Sequence, residues 1–356
     1  MKKVNPHKPK LSENWQEQVF LHHTGFMFGV GCSAFNNSAI DKINRLKNRE
    51  GKAGLILLLA KPDWMKKFGL EVLPEYNHLL HQFWPGNLTV IAKDTKNLFE
   101  SISYNGTVAC RVPSSSSLQE FMFRIGEPIT STSVNVSGSP ALKSYKEIMH
   151  KHKDWFDFVV WENFPNLEEV SPSTIIDLTK PEITCIREGS IPFYKIKESV
   201  SNPMILFVCT GNTCRSPMAE YYGRHLAEQR NLPYIFKSCG SVSKGHPISI
   251  NSAIVLQKDG IDAKQHVSSL LSKELVERSF LILTMANTHR ERVLKDFPEA
   301  IHKTFLLSEF CGEDFCRPSC KIADPYGLDI GYYQHAYAQI KERIEKMFDS
   351  IEDGTY

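Results

Sequence analysis

From Met204 the chain runs Met-Ile-Leu-Phe-Val and then Cys209-Thr210-Gly211-Asn212-Thr213-Cys214-Arg215-Ser216-Pro217-Met218-Ala219-Glu220. A short apolar run that stops at a glycine-containing loop reads as a buried strand. Pro217 suits the first turn of a following helix, where its missing N–H is one of the donors a helix leaves unpaired anyway. A loop between strand and helix can curl so that successive backbone N–H groups point inward and form a nest for a phosphate. Gly211 is expected to supply the unusual dihedrals of that curl. The helix N-terminus, Arg215 and the Ser216 hydroxyl then favour the thiolate of Cys209 over the thiol, and a thiolate attacks phosphorus. Cys-x5-Arg alone is a weak pattern, since chance matches are inert core cysteines. Here the strand, the helix and the interior Gly-Asn all agree with the loop.

Such a mechanism also needs an acid to protonate the leaving group and later to activate water. Asp324, in Ala323-Asp324-Pro325-Tyr326-Gly327, is the candidate; alone, Asp-Pro is a common turn, and only the Cys209 loop raises it above that.

The rest of the chain brackets this motif with a second domain. At 356 residues it is long for one core. A proline and a mixed polar stretch at 192–203, PFYKIKESVSNP, form the clearest seam. The domains expected are 1–198 and 203–356. After the seam, 204–208, Phe280 to Thr284 and a closing amphipathic helix from Tyr333 to Phe348 alternate as in a parallel α/β sheet. Before it, Leu55 to Leu59, Leu88 to Ala92 and Val108 to Val112 are apolar runs between helical patterns, which reads as α/β with a twisted mixed sheet. Ser114 to Ser117 read as a loop. A net charge of +2 gives no bulk electrostatic reason for a nucleic-acid or membrane partner. No apolar run approaches the ~20 residues that cross a bilayer, and the basic start lacks the apolar stretch of a secretion signal. Nine cysteines, spread over both halves, suit a reducing compartment, and a cytoplasmic location is expected.

VCTGNTCRSPMAE near the start of this segment and DPYG near its end resemble the low-molecular-weight protein tyrosine phosphatase family, over about 203–350. Lys237-Ser238-Cys239-Gly240 and Leu283-Thr284-Met285 share the likeness. The resemblance implies Cys209 as nucleophile, Arg215 as phosphate clamp, Asn212 and Ser216 as loop and thiolate supports, Asp324 as acid, and no metal or cofactor. Its substrate would be a phosphorylated protein. Thr213 stands where tyrosine-directed members carry a bulky aliphatic residue and where the related protein-arginine phosphatases carry threonine. Either it accommodates and bonds a guanidinium, or it is a neutral variant. Cys214 either forms a reversible disulfide with the nucleophile or is a passive buried cysteine. Cys311, Cys316 and Cys320 either bind zinc, for which no fourth ligand is evident, or lie in a reduced loop.

The N-terminal half carries no nucleophile constellation; its signals are cations and hydroxyls. Lys47-Asn48-Arg49, Arg111, Thr132-Ser133-Val134-Asn135-Val136-Ser137-Gly138 and Arg187 suggest a nucleotide site together, although each alone is a solvated turn. Over 15–192 their order resembles the YrdC-like family of L-threonylcarbamoyl-AMP synthases. The matching stretches are GVGCSA from Gly29, KNR from Lys47, PGNLT from Pro85, RVP from Arg111, SVNVSG from Ser133, Ser173-Thr174 and IREG from Ile186. The resemblance implies joining of ATP, bicarbonate and L-threonine with loss of pyrophosphate, for tRNA modification, with magnesium accompanying ATP and tRNA-pathway proteins as partners. Thr24, Lys47, Arg49, Arg111, Ser133, Asn135 and Arg187 would bind nucleotide and substrate in one concavity. The chain departs from the family at His23-Thr24-Gly25-Phe26-Met27-Phe28-Gly29, in place of Pro-Thr-Asp-Thr-Val-Tyr-Gly, and at Glu50 and Ala53-Gly54. These changes remove an acid and hydroxyls from the pocket wall. The expected protein is a fusion of synthase and phosphatase; the alternative is a phosphatase with a non-catalytic N-terminal module that binds nucleotide or RNA.

Overall fold

The short apolar runs of the N-terminal half become strands of one mixed sheet. A computed structural model describes residues 1–48, 54–162, 164, 171–242, 244–310 and 322–352. In chain order the strands are β1 (Lys2–Val4), β2 (Phe20–His23), β3 (Phe28–Ser33), β4 (Ile56–Leu58), β5 (Leu70–Glu71), β6 (Leu88–Asp94), β7 (Thr107–Arg111), β8 (Ile129–Ser133), β9 (Phe158–Val160), β10 (Thr174–Asp177) and β11 (Thr184–Arg187). Across the sheet they run β1-β9-β2-β3-β8-β4-β7-β6-β10-β11, with β5 on β6. Antiparallel pairs such as β3 with β8 adjoin parallel ones such as β4 with β7. The register sets Gly29 opposite Ser133, so the segment before β3 and the one after β8 meet. Phe20 anchors the core beneath, stacked on Phe158 at 4.8 Å and edge-on to Phe121 at 5.6 Å.

Two local expectations change. The serines from Ser114 do not form a loop throughout: Ser115 caps the helix Ser116–Ile125, its hydroxyl accepting from the Leu118 N–H at 3.1 Å. A serine run beside an apolar period is a capping signal as much as a loop signal. The polar stretch at the seam contains the helix Phe193–Ser201, in which Ile196 and Ser199 are buried three positions apart. Within that helix falls the boundary between two structural units, Met1–Ile196 and Lys197–Tyr356.

In the second unit β12 (Met204–Cys209), β13 (Ile235–Gly240), β14 (Ser279–Thr284) and β15 (Thr304–Leu306) pair in the order β13-β12-β14-β15, all parallel. Every residue of β12 is buried, as expected of a parallel strand covered on both faces. Alternation along β12 sends Ile205, Phe207 and Cys209 into one core and Leu206 and Val208 into another. The first core includes Met218, Tyr222 and Leu226 of helix Arg215–Arg230 and Tyr333, Ala336, Tyr337, Ile340 and Ile344 of helix Ile330–Glu352. Those last five recur at the helical period, and the closing helix is longer at both ends than its sequence signal. Among the described residues no helix is long and apolar enough to cross a membrane.

Candidate functional site

β12 ends at Cys209, and helix Arg215–Arg230 begins after the loop. Pro217 lies in its first turn, and the first full helical bond runs from Met218 N–H to Cys214 O at 3.2 Å. The loop is held by Asn212, not by the expected freedom of Gly211. Asn212 takes the left-handed conformation, with φ 53°. Asparagine tolerates that region better than other residues with a Cβ. Its side chain is fixed on three sides: Nδ2 donates to Ser216 Oγ at 3.0 Å and to Ser238 Oγ at 2.7 Å, and Oδ1 accepts from Ser269 N–H at 2.9 Å.

These bonds set directions. Ser238 accepts from Asn212 and donates to the buried Glu220 carboxylate at 2.6 Å. Ser216 accepts from Asn212, so its own hydrogen is free for Cys209 Sγ, 3.0 Å away. Asn212 N–H also points at Cys209 Sγ, at 3.2 Å. Two donors therefore converge on the sulfur. Gly240 of β13 admits the loop, because a Cβ there would stand 2.8 Å from Thr210 O.

Cys209, Thr210, Gly211, Thr213, Cys214, Arg215 and Asp324 line one cavity of 630 Å³, walled by His246 to Ile250 and Tyr326. Arg215 is buried, while the Asp324 side chain is 52% exposed. Arg215 Nη2 bonds Asp324 Oδ2 at 2.5 Å. Thr213 faces the cavity, and its carbonyl accepts from Ser249 N–H at 2.9 Å. Cys214 is buried, with Ser249 Oγ at 3.5 Å and the Tyr333 hydroxyl at 3.6 Å from its sulfur. Sequence reading missed Glu220 and His266, whose Nε2 lies 2.8 Å from Asn212 O. Glu220 follows the loop in sequence but is tied to it through Ser238 of β13, and His266 lies far along the chain, so nothing local marks either role. Cys311, Cys316 and Cys320 lie outside the described residues.

The N-terminal cations divide. Thr24, Arg111, Ser133, Asn135 and Arg187 line a cavity of 390 Å³, with Ser131, Thr132 and Ser173. Arg111 is only 3% exposed; its Nη1 donates to Asn87 Oδ1 at 2.5 Å, and its buried Nε has no hydrogen-bond partner. Burial first, and then Arg187, pull its pKa down to about 10, which leaves it charged at neutral pH. Arg187 Nη2 donates to Ser173 O at 2.8 Å. Two guanidiniums share this cavity with no Asp or Glu among its described lining residues, an arrangement suited to an anion. Lys47 is placed differently: at 1% exposure its Nζ donates to Ser133 O at 2.6 Å, Asn135 O at 2.8 Å and Asn135 Oδ1 at 2.9 Å. It braces two lining residues and is not itself in the lining. Arg49, Glu50 and Ala53 lie outside the described residues. Gly25 has φ 96°, and a Cβ there would stand 2.0 Å from Ser114 Oγ, so this departure fits the chain's own packing. Phe28 lacks the hydroxyl of the family pattern's Tyr in the wall, whereas Met27 replaces Val, one apolar residue for another.

Two family models match the chain: the Sua5/YciO/YrdC family, described as telomere recombination, over residues 16–189, and the low molecular weight phosphotyrosine protein phosphatase family over residues 204–355. The chain belongs to both, as a fusion of two enzyme domains. A protein-arginine-phosphatase of Geobacillus stearothermophilus is 38% identical over 151 residues, 42% of this chain and 95% of its own length. One from Bacillus subtilis is 32% identical over 143 residues, 40% of this chain and 93% of its own. A threonylcarbamoyl-AMP synthase of Vibrio parahaemolyticus is 34% identical over 137 residues, 37% of this chain and 74% of its own.

Proposed function

We propose that the C-terminal domain is a protein phosphatase working through a phosphocysteine, with phosphoarginine as its preferred substrate class and phosphotyrosine as the competitor. The carrying observation is the convergence of Ser216 and Asn212 on Cys209 Sγ inside the cavity that holds Arg215 and Asp324. The Cys209 thiolate attacks phosphorus, forming an S–P bond as the bond to the leaving nitrogen or oxygen breaks. Arg215 takes the phosphoryl oxygens and releases Asp324, which takes up a proton from solvent and passes it to the leaving group. Water then attacks the phosphocysteine, Asp324 removes its proton, and phosphate leaves. Thr213, facing the cavity, offers a hydroxyl to a guanidinium where a bulky aliphatic side chain would fill the space. Cys209→Ser is expected to abolish hydrolysis while phosphate still binds; activity within tenfold of wild type refutes the covalent mechanism. Thr213→Ile is expected to shift the activity ratio toward phosphotyrosine, and an unchanged ratio removes Thr213 from specificity.

The N-terminal domain is proposed to make L-threonylcarbamoyl-AMP from ATP, bicarbonate and L-threonine, serving tRNA modification in the cytoplasm. The carboxylate-free pair of buried Arg111 and exposed Arg187 supports anion binding, with Ser133, Asn135 and Thr24 about the uncharged parts. The described lining residues include no carboxylate to hold a hard cation, so magnesium is proposed only as the companion of ATP. The test is pyrophosphate release that requires both threonine and bicarbonate and is lost in Arg187→Ala. ATP binding without that release favours the non-catalytic module, the reading to which the acid missing at Gly25 and the hydroxyl missing at Phe28 point.

A further inference from the structure

His289, near the start of helix Asn287–Asp296, stands apart from the residues the sequence marks. Its Nε2 lies 2.8 Å from Thr210 Oγ1, it is 4% exposed, and its buried Nδ1 has no hydrogen-bond partner. Burial first, and then Arg215, pull its pKa down to about 4 against the opposing pull of Asp324, so the ring is neutral at neutral pH. A neutral imidazole carries one N–H. Placed on Nδ1, that hydrogen would be a buried donor with no acceptor, costlier than an idle nitrogen lone pair. The hydrogen therefore belongs on Nε2, and Thr210 Oγ1 accepts it. A hydroxyl that accepts from His289 keeps its own hydrogen for another acceptor. Thr210 is exposed and lines the cavity of Cys209 and Arg215, and its backbone carbonyl already accepts from Val242 N–H at 3.2 Å.

We infer that Thr210 donates its hydroxyl hydrogen to an oxygen of the bound phosphoryl group, and that His289 is the positioning residue that sets this direction. The inference rests on the phosphatase reading of the same cavity and adds to it a donor that the loop's backbone does not supply. It also gives His289 a purpose beyond packing, because only its Nε2–H matters to the substrate. A side chain with a donor at that reach can replace it.

The test compares wild-type, Thr210→Val, His289→Leu, His289→Gln and the Thr210→Val/His289→Leu pair in the full-length chain. Two readouts are used: kcat/KM for p-nitrophenyl phosphate and the inhibition constant of inorganic phosphate. Thr210→Val is nearly isosteric at an exposed position, and it is expected to lower kcat/KM about tenfold and weaken phosphate binding similarly, the size of one hydrogen bond. His289→Leu should fall by a like factor, the pair should be no worse than either single change, and His289→Gln should recover most of the loss. Unchanged kcat/KM and phosphate inhibition in Thr210→Val overturn the inference, as do fully multiplicative losses in the pair. A wild-type chain that neither hydrolyses p-nitrophenyl phosphate nor binds phosphate refutes instead the phosphatase reading on which the inference stands.

Discussion

Replacing Asn212 separates the backbone of the phosphate loop from its hydrogen bonds. At φ 53° an alanine pays about 1 kcal/mol for its Cβ in the left-handed region. Asn212→Ala also loses the side-chain bonds to Ser216, Ser238 and Ser269 N–H, each about 1 kcal/mol net. The sum is a destabilisation of about 4 kcal/mol. Asn212→Gly loses the same bonds without the Cβ penalty, so it is expected to be more stable than Asn212→Ala by about 1 kcal/mol. Both variants release the Ser216 hydroxyl from the bond that directs its hydrogen at Cys209, so both should lose most phosphatase activity. The five tryptophans lie between Trp15 and Trp161, so their fluorescence reports the first unit and serves as an internal control. Unfolding of the second unit is followed by hydrogen exchange of peptides from β12 and β13 across a urea series. Equal stability of the alanine and glycine variants refutes the backbone argument. A total loss below about 1 kcal/mol refutes the claim that the side chain holds the loop.

Asp324→Asn should slow turnover by ~10²-fold or more, with a smaller loss for substrates whose leaving groups need little protonation; an equal loss across leaving groups assigns Asp324 a structural role. Lys47→Met removes three charge-assisted bonds to Ser133 and Asn135, and it should lower the stability of the first unit by about 3–5 kcal/mol, read by tryptophan fluorescence in urea. An unchanged midpoint would leave Lys47 no bracing role. His22 is buried with both ring nitrogens unpaired, and burial, then His23 and Arg111, lower its pKa from the usual 6.5 to about 3. The folded state then binds fewer protons than the unfolded state between these values. The first unit should therefore lose stability as pH falls from 6.5 toward about 3, by up to about 1.4 kcal/mol per pH unit. His22→Leu should flatten that slope, and an unaltered slope counts against the burial argument.

Much of the phosphatase domain was legible because its chemistry is contiguous. Strand, loop and first helical turn follow one another from Met204 to Glu220, so hydrophobic period, Pro217 and the Cys–Arg spacing report one local structure. Asp324 could be named only because the Cys209 loop calls for an acid, since an Asp-Pro turn has no local mark of its partner Arg215. The sequence also determined two α/β units and the hydrophobic faces of their helices, because burial at period 2 or 3.6 is a property of neighbouring residues. What it could not determine was direction. Which residue takes the left-handed turn, which way the Ser216 hydroxyl points, and that Glu220, Ser238 and His289 stand behind the loop depend on strands adjacent only in space. Lys47 makes the same point in the first unit. Its spacing from Arg49 suggests a cation for a ligand, yet the fold turns it onto the carbonyls of Ser133 and Asn135. A lysine carries the same charge in either setting; only the packed neighbours decide which acceptor it meets.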